Sequence, residues 1–150
     1  MDIEQIATTS EQDFIDSSVR ILSERIHQSI DEYGRAIVGL SGGGTPKPIY
    51  TALGKCAIPW DKVSIFLVDD RYVPADHDDS NQKLVRETLL KNASIPEEQV
   101  LFPDTSKPLE ECIHHYDLTL AGMLSVGIPH IVTLGMGDDG HIASLFPPVP

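Results

Sequence analysis

Ala36-Ile-Val-Gly-Leu40-Ser41-Gly-Gly-Gly44-Thr45-Pro46 passes from one kind of structure to another within a single short stretch. Its first five residues are free of polar side chains and show no alternation, as in a strand covered on both faces. Three consecutive glycines then allow a sharp turn and leave backbone N–H groups open to a ligand. Thr45 followed by Pro46 spells a helix start, with Thr as N-cap and Pro at the first helical position. Strand, glycine turn and helix, in that order, form the unit of a parallel α/β sheet.

The same unit recurs along the chain. Upstream, residues 11–33 predict a helix, because Ile15, Val19, Leu22, Ile26, Ile30 and Tyr33 return every three or four positions. Ser10 and Asp13 form its capping box. Downstream, Val63-Ser-Ile-Phe-Leu-Val68 reads as a second buried strand that ends in Asp69-Asp70-Arg71. Ser80 starts another helix, carrying Leu84, Leu89 and Leu90. A further helix near Pro108–Leu124 places Leu109, Cys112, Ile113, Tyr116, Leu120 and Met123 at helical spacing. The buried strand Ile131-Val-Thr-Leu134 follows, and then Gly135-Met-Gly-Asp-Asp-Gly-His141. The expected fold is therefore α/β, a parallel Rossmann-like sheet with helices on both faces. Right-handed crossovers then bring the turns after residues 40, 68 and 134 to one edge of the sheet.

Composition narrows the partners. The chain has 150 residues, 41% hydrophobic and 23% charged, which suits one globular domain with its own core. A formal net charge of −12 argues against nucleic acid, which needs clustered Lys and Arg. A small anion is still compatible, since helix N-termini and single basic side chains supply local positive potential. No apolar run approaches a membrane span, and the acidic start Met1-Asp-Ile-Glu lacks the pattern of a secretory signal. Cys56 and Cys112 stand far apart and are expected as buried thiols, which with the rest points to the cytoplasm. The only compositional break is Pro147-Pro-Val-Pro150.

Each of the three turns carries chemistry beside a plainer alternative. Ser41-Gly-Gly-Gly-Thr45 is an anion cradle at a helix N-terminus, or a simple glycine-rich connection; it is neither a Walker loop nor G-x-G-x-x-G. Asp69-Asp70-Arg71 lets Asp70 fix Arg71 by a salt bridge while Arg71 faces an anionic substrate bidentately, or it is a solvated loop with an internal ion pair. Asp76-His77-Asp78-Asp79 contains metal-ligand types, yet capping of the next helix by Asp79 or Ser80 explains it with less. In the third turn a carboxylate stands two residues before His141 and could orient it as a base. Otherwise Asp138 and Asp139 are turn formers. Convergence of the three turns favours chemistry.

Three blocks together resemble the 6-phosphogluconolactonase family. Its Leu-Ser-Gly-Gly-x-Thr-Pro loop is matched by Leu40 to Pro46. Its Asp-Glu-Arg-x-Val-Pro block, with the Ser-Asn-x-x-Leu helix start, is matched by Asp69 to Pro74 and Ser80 to Leu84. Its Gly-x-Gly-x-Asp-Gly-His-x-Ala-Ser-Leu-Phe-Pro block is matched by Gly135 to Pro147. The resemblance implies a carboxylic ester hydrolase that converts 6-phospho-D-glucono-1,5-lactone to 6-phosphogluconate in the pentose phosphate pathway, without metal or organic cofactor. Carried onto these positions, His141 is the general base, Asp139 its orienting partner and Arg71 a further catalytic group. Ser41, Gly42, Gly43, Gly44, Thr45, Asp69 and Asp70 are the expected substrate contacts. The partner implied is a small phosphorylated sugar lactone, not a nucleic acid or a membrane.

The match has two departures. Asp70 stands where Glu is usual, and Pro148 where Gly is common. Family members also continue through further strands and helices that bring basic residues to the phosphate. Residues 1–150 are thus expected to form one α/β lactonase-like domain, incomplete at its C-terminal side. Two rivals remain. A glucosamine-6-phosphate deaminase/isomerase has a similar Asp-Gly-His-Ile-Ala block but continues Phe-Asn-Glu-Pro, where Ser144-Leu145-Phe146-Pro147 stands here. The other is a non-catalytic sugar-phosphate binder.

Overall fold

A computed structural model describes residues 2–148, so Met1 and the last two residues of the proline stretch 147–150 lie outside the described residues. Helix α1 spans Glu11–Tyr33. Ser10 Oγ accepts from the Asp13 N–H at 3.0 Å, the first half of the expected capping box. The reciprocal half shifts by one residue: the Asp13 carboxylate accepts from the Thr9 N–H at 2.9 Å instead of from Ser10. Gly34 ends the helix with φ 74°, donating its N–H to the Ile30 carbonyl.

The remaining elements are β1 (Ala36–Leu40), α2 (Pro46–Leu53), β2 (Val63–Leu67), α3 (Asn81–Glu87), β3 (Val100–Leu101), α4 (Leu109–Leu124) and β4 (Ile131–Val132). All strand pairs are parallel, in the order β3-β2-β1-β4. The alternate residues Ala36, Val38 and Leu40 join Val63, Ile65 and Leu67 on one face, under Ile26 and Ile30 of α1, Ile49 and Leu53 of α2 and Val85 of α3. Each such fully buried aliphatic side chain contributes about 1.5–3 kcal/mol. Ile37 and Phe66 are buried outside that cluster, as is Cys112 of α4. Phe66 lies so close over Gly39 that a Cβ there would stand 2.6 Å from its ring, which explains the glycine inside a strand. Tyr116 of α4 reaches β2 by donating to the Leu67 carbonyl at 2.7 Å.

Four expectations need correction. Helix α3 stops at Glu87, and Leu89 and Leu90 fall in a separate 3-10 turn, because the Thr88 backbone leaves the helical region there, with φ −115° and ψ −84°. The strand at Ile131 has two residues, not four, and Val132 is 44% exposed. It ends early because the Ser41 N–H turns to the Thr133 hydroxyl instead of to a backbone carbonyl. Among the described residues it is also the outermost strand on its side of the sheet. Strand β3 is not among the expected elements, being too short to show a pattern. Cys112 is buried but Cys56 is only partly so. Among the described residues no helix is long and apolar enough to cross a membrane.

Strand order decides where the sheet can open. From β1 the sheet grows outward through β2 and β3, and the chain then returns to the other side of β1 to lay down β4. The carboxyl ends of β1 and β4 therefore flank a topological switch point, where open α/β sheets have a crevice.

Candidate active site

A cavity of about 510 Å³ opens at that point. All three turns reach it: Ser41, Gly42, Gly43 and Thr45 from the first, Asp69 and Arg71 from the second, and His141 from the third. An unforeseen wall comes from α1, whose Phe14, Ser18, Ile21 and Leu22 line the opposite side.

In the first turn Gly43 takes φ 101°, a conformation only glycine adopts without strain. Gly42 is required for a different reason. A Cβ there would fall 1.9 Å from the Asn81 side-chain oxygen. Thr45 sits at the N-cap of α2, but its own backbone is helical and its hydroxyl makes no capping bond. That corrects the expected cap and leaves the hydroxyl at the cavity, next to a helix N-terminus. Gly44 does not line the cavity; it has open space around it, and its carbonyl accepts from Lys47 N–H at 3.3 Å.

The second turn departs further from expectation. Asp70 forms no salt bridge with Arg71 and does not face the cavity. Its Oδ1 accepts from the backbone N–H of Arg71 at 2.8 Å and of Asn81 at 2.7 Å, and its Oδ2 from that of Gln82 at 3.4 Å. A carboxylate beside the orphan donors of a helix start is held by them more firmly than by a mobile guanidinium. Asp70 is thus a cap for α3, together with Ser80, whose Oγ accepts from Lys83 N–H. Arg71 lines the cavity and donates through Nη1 to the Asp79 carbonyl at 3.0 Å. The acidic loop after it is self-contained: Lys83 pairs with Asp78 at 2.7 Å, and Asp79 N–H donates to His77 Nδ1. Among the described residues no three His, Cys, Asp or Glu side chains gather as a metal-binding group.

The third turn folds the imidazole back on its own loop. Gly137 N–H donates to the His141 carbonyl at 2.9 Å, closing the loop. His141 Nδ1 lies 2.5 Å from Asp139 Oδ1, which also accepts the His141 backbone N–H at 3.1 Å. These bonds, the ring contact first, hold the Asp139 carboxyl below its ordinary range. An ionised carboxylate only accepts, so the proton between them sits on Nδ1, and in the neutral imidazole the lone pair is then on Nε2. Phe146 packs on the ring at 4.9 Å between centroids. Gly137 makes room for all this, since a Cβ there would meet His141 Cε1 at 2.2 Å. Ala143, at the cavity, takes a left-handed φ of 50°, an uncommon cost for a non-glycine residue.

Residues outside the expected set tie the turns to one another. Asn81, 3% exposed, donates its amide to the Asp69 carbonyl at 3.0 Å while pressing on Gly42, so it joins the first turn to the second. Ser144 Oγ donates to Asp69 Oδ2 at 2.7 Å and joins the second to the third. Tyr50 and Thr133 join the first to the third through Ser41. The sequence carried a signal for three of these. Asn81 and Ser144 lie inside the matched blocks, and Thr133 is the lone polar residue of an apolar run. Tyr50 had none.

A sequence profile described as glucosamine-6-phosphate isomerases/6-phosphogluconolactonase matches residues 9–150. A protein of Dictyostelium discoideum named as a probable 6-phosphogluconolactonase is 43% identical over 147 residues, 95% of this chain and 62% of the relative. The 6-phosphogluconolactonase of Synechocystis sp. is 40% identical, over 94% of this chain and 61% of its own. Among solved structures, the 6-phosphogluconolactonase of Thermotoga maritima superposes with a TM-score of 0.85 at 35% identity, covering 89% of this chain and 61% of that one. The enzyme of Trypanosoma brucei gives 0.78 at 28%, covering 95% and 62%. The chain spans about three fifths of the length of these relatives.

Proposed function

The chain belongs to the glucosamine-6-phosphate isomerase/6-phosphogluconolactonase family, and on that premise we propose that it hydrolyses 6-phospho-D-glucono-1,5-lactone to 6-phosphogluconate, as one α/β domain in the cytoplasm. The observation that carries this reading is a single cavity at the switch point, lined by glycine-turn backbone, a guanidinium and an imidazole whose far nitrogen is clamped by a carboxylate.

Each group has a task that its chemistry suits. The glycine turn with the Ser41 and Thr45 hydroxyls, at the positive end of α2, holds the phosphate. Arg71 supplies charge-assisted donors to the anionic sugar phosphate. His141 Nε2 takes a proton from water as its oxygen attacks the lactone carbonyl carbon. The tetrahedral adduct then collapses, the bond from that carbon to the ring oxygen breaks, and the imidazolium returns its proton to that oxygen. Asp139 keeps the ring in the tautomer that permits both transfers and stabilises its charged form. Asp69, held by Ser144, is left with one carboxylate oxygen for a substrate hydroxyl.

The test is lactone hydrolysis on freshly generated substrate, corrected for spontaneous opening. His141→Ala should lose ~10²–10⁴-fold in turnover, the range for a missing general base. Full turnover in a folded His141→Ala variant overturns the assignment.

A further inference from the structure

Strands β1 and β2 pair over five residues, from Ala36–Val63 to Leu40–Leu67, whereas β1 and β4 share only Val38–Ile131 and Gly39–Val132. The backbone seam on the β4 side therefore ends short of the two turns it has to align. Two hydroxyls continue it. Tyr50, 1% exposed, donates to the Ser41 carbonyl at 2.8 Å and lies 3.0 Å from Thr133 Oγ1. The Ser41 N–H donates to Thr133 Oγ1 at 3.0 Å and lies 3.2 Å from the Tyr50 oxygen. The Thr133 proton is left for the Tyr50 oxygen or for the Gly39 carbonyl at 3.3 Å. Every donor in this knot has an acceptor, and burial pushes the Tyr50 hydroxyl pKa up, so its proton stays in place.

Ser41 opens the glycine cradle, and Thr133 stands two residues before Gly135, where the histidine turn begins. We propose that Tyr50 and Thr133 are positioning residues whose hydroxyl pair sets the separation between the phosphate cradle and His141. This role rests on the lactonase reading above. A substrate gripped at both ends, phosphate in the cradle and carbonyl before the imidazole, feels that separation. Inorganic phosphate, gripped at one end only, does not. A knot that merely held the fold together would shift stability and leave the two ligands in the same ratio.

The experiment compares wild type with Thr133→Val, Tyr50→Phe, the double variant and Thr133→Ser. It reads kcat and KM for the lactone, calorimetric affinity for 6-phosphogluconate and for inorganic phosphate, and the unfolding midpoint. Thr133→Val and Tyr50→Phe should each lower kcat/KM by about 10–100-fold, the effect of misplacing reacting groups by a fraction of an ångström to one ångström. Both should weaken 6-phosphogluconate binding and leave inorganic phosphate within about twofold. The double variant should be little worse than either single one, because one knot is lost once. Thr133→Ser, which keeps the hydroxyl, should recover most of the rate. Unchanged kcat/KM in folded Thr133→Val overturns the role. So does an equal loss of both ligands, or a serine variant as poor as the valine. If Thr133→Val does not fold, Tyr50→Phe carries the same measurements with its ring packing intact. A wild-type chain that neither turns over the lactone nor binds the two anions removes the lactonase reading, and the positioning role with it. Turnover in wild type with no change in the variants removes the positioning role alone.

Discussion

Gly137→Ala isolates the geometry of the histidine from the chemistry of its side chain. The methyl group would stand 2.2 Å from His141 Cε1 and 2.3 Å from Nδ1, whereas ordinary contact begins at 3.4 Å. The ring must therefore retreat by about 1.2 Å, and the 2.5 Å bond from Nδ1 to Asp139 breaks as it does. A displacement of that size at a reacting group costs ~10²-fold in rate. Gly137 is not among the residues with left-handed φ, so alanine suits its backbone, and removing glycine's freedom from the unfolded chain favours folding by ~0.4–1 kcal/mol. The expectation is a variant as stable as wild type, with kcat for the lactone down ~10²-fold and KM nearly unchanged because the cradle is untouched. Steady-state kinetics with a thermal melt on the same preparation checks both halves. A folded Gly137→Ala that works within about threefold of wild type would show that the imidazole need not lie over Gly137, and would refute the clamped-base geometry.

Two further predictions concern the frame. Asp70→Ala removes two acceptor contacts at the start of α3 and a third to the Arg71 N–H, so it should destabilise by about 0.5–2 kcal/mol, seen as a lower melting midpoint; an unchanged midpoint rejects the capping role. His130 Nδ1 accepts the Ile37 N–H at 2.8 Å, between Arg35 and Glu32 and stacked on Tyr33, and burial followed by Arg35 pushes its pKa below the ordinary 6.5. The unfolded chain thus takes up the proton first as pH falls. The stabilisation is full above 6.5 and drains as pH descends through the lower folded value. Chemical denaturation of wild type and His130→Phe across that range should show their difference shrinking with acid, and a constant difference counts against the lowered His130 pKa.

The parts of the fold legible in the sequence were those written in local chemistry. Helix α1 is bounded by Ser10 and Gly34, and β1 by an apolar run and a glycine turn, so each announces its own limits. Strand β4 did not, because its end is set by a bond between Ser41 and Thr133, which lie 92 positions apart in the chain. For the same reason the clustering of turns was readable while the contacts within it were not. Asp70 and Arg71 are adjacent in sequence and suggest a pair, but the helix start brought up by the fold competes for the carboxylate and wins. Thr45 looks like a cap and is not one, since its own φ and ψ are helical. The α1 wall of the cavity could not be seen at all, as nothing in Phe14 or Ile21 distinguishes a residue facing a void from one facing a core.

The short seam between β1 and β4 also governs the order in which the molecule comes together. Pairing β1 with β2 closes a loop from Ala36 to Val63 and is rewarded by five residue pairs, while pairing β1 with β4 closes one from Val38 to Ile131 for two. The longer closure costs about 1 kcal/mol more in chain entropy and returns less. Of the two strands flanking β1, β4 is thus the later to dock and the earlier to peel away. Under mild denaturant a species should accumulate in which the glycine cradle still stands beside β2 while His141 has drifted off. Anion affinity in this protein should therefore outlast turnover.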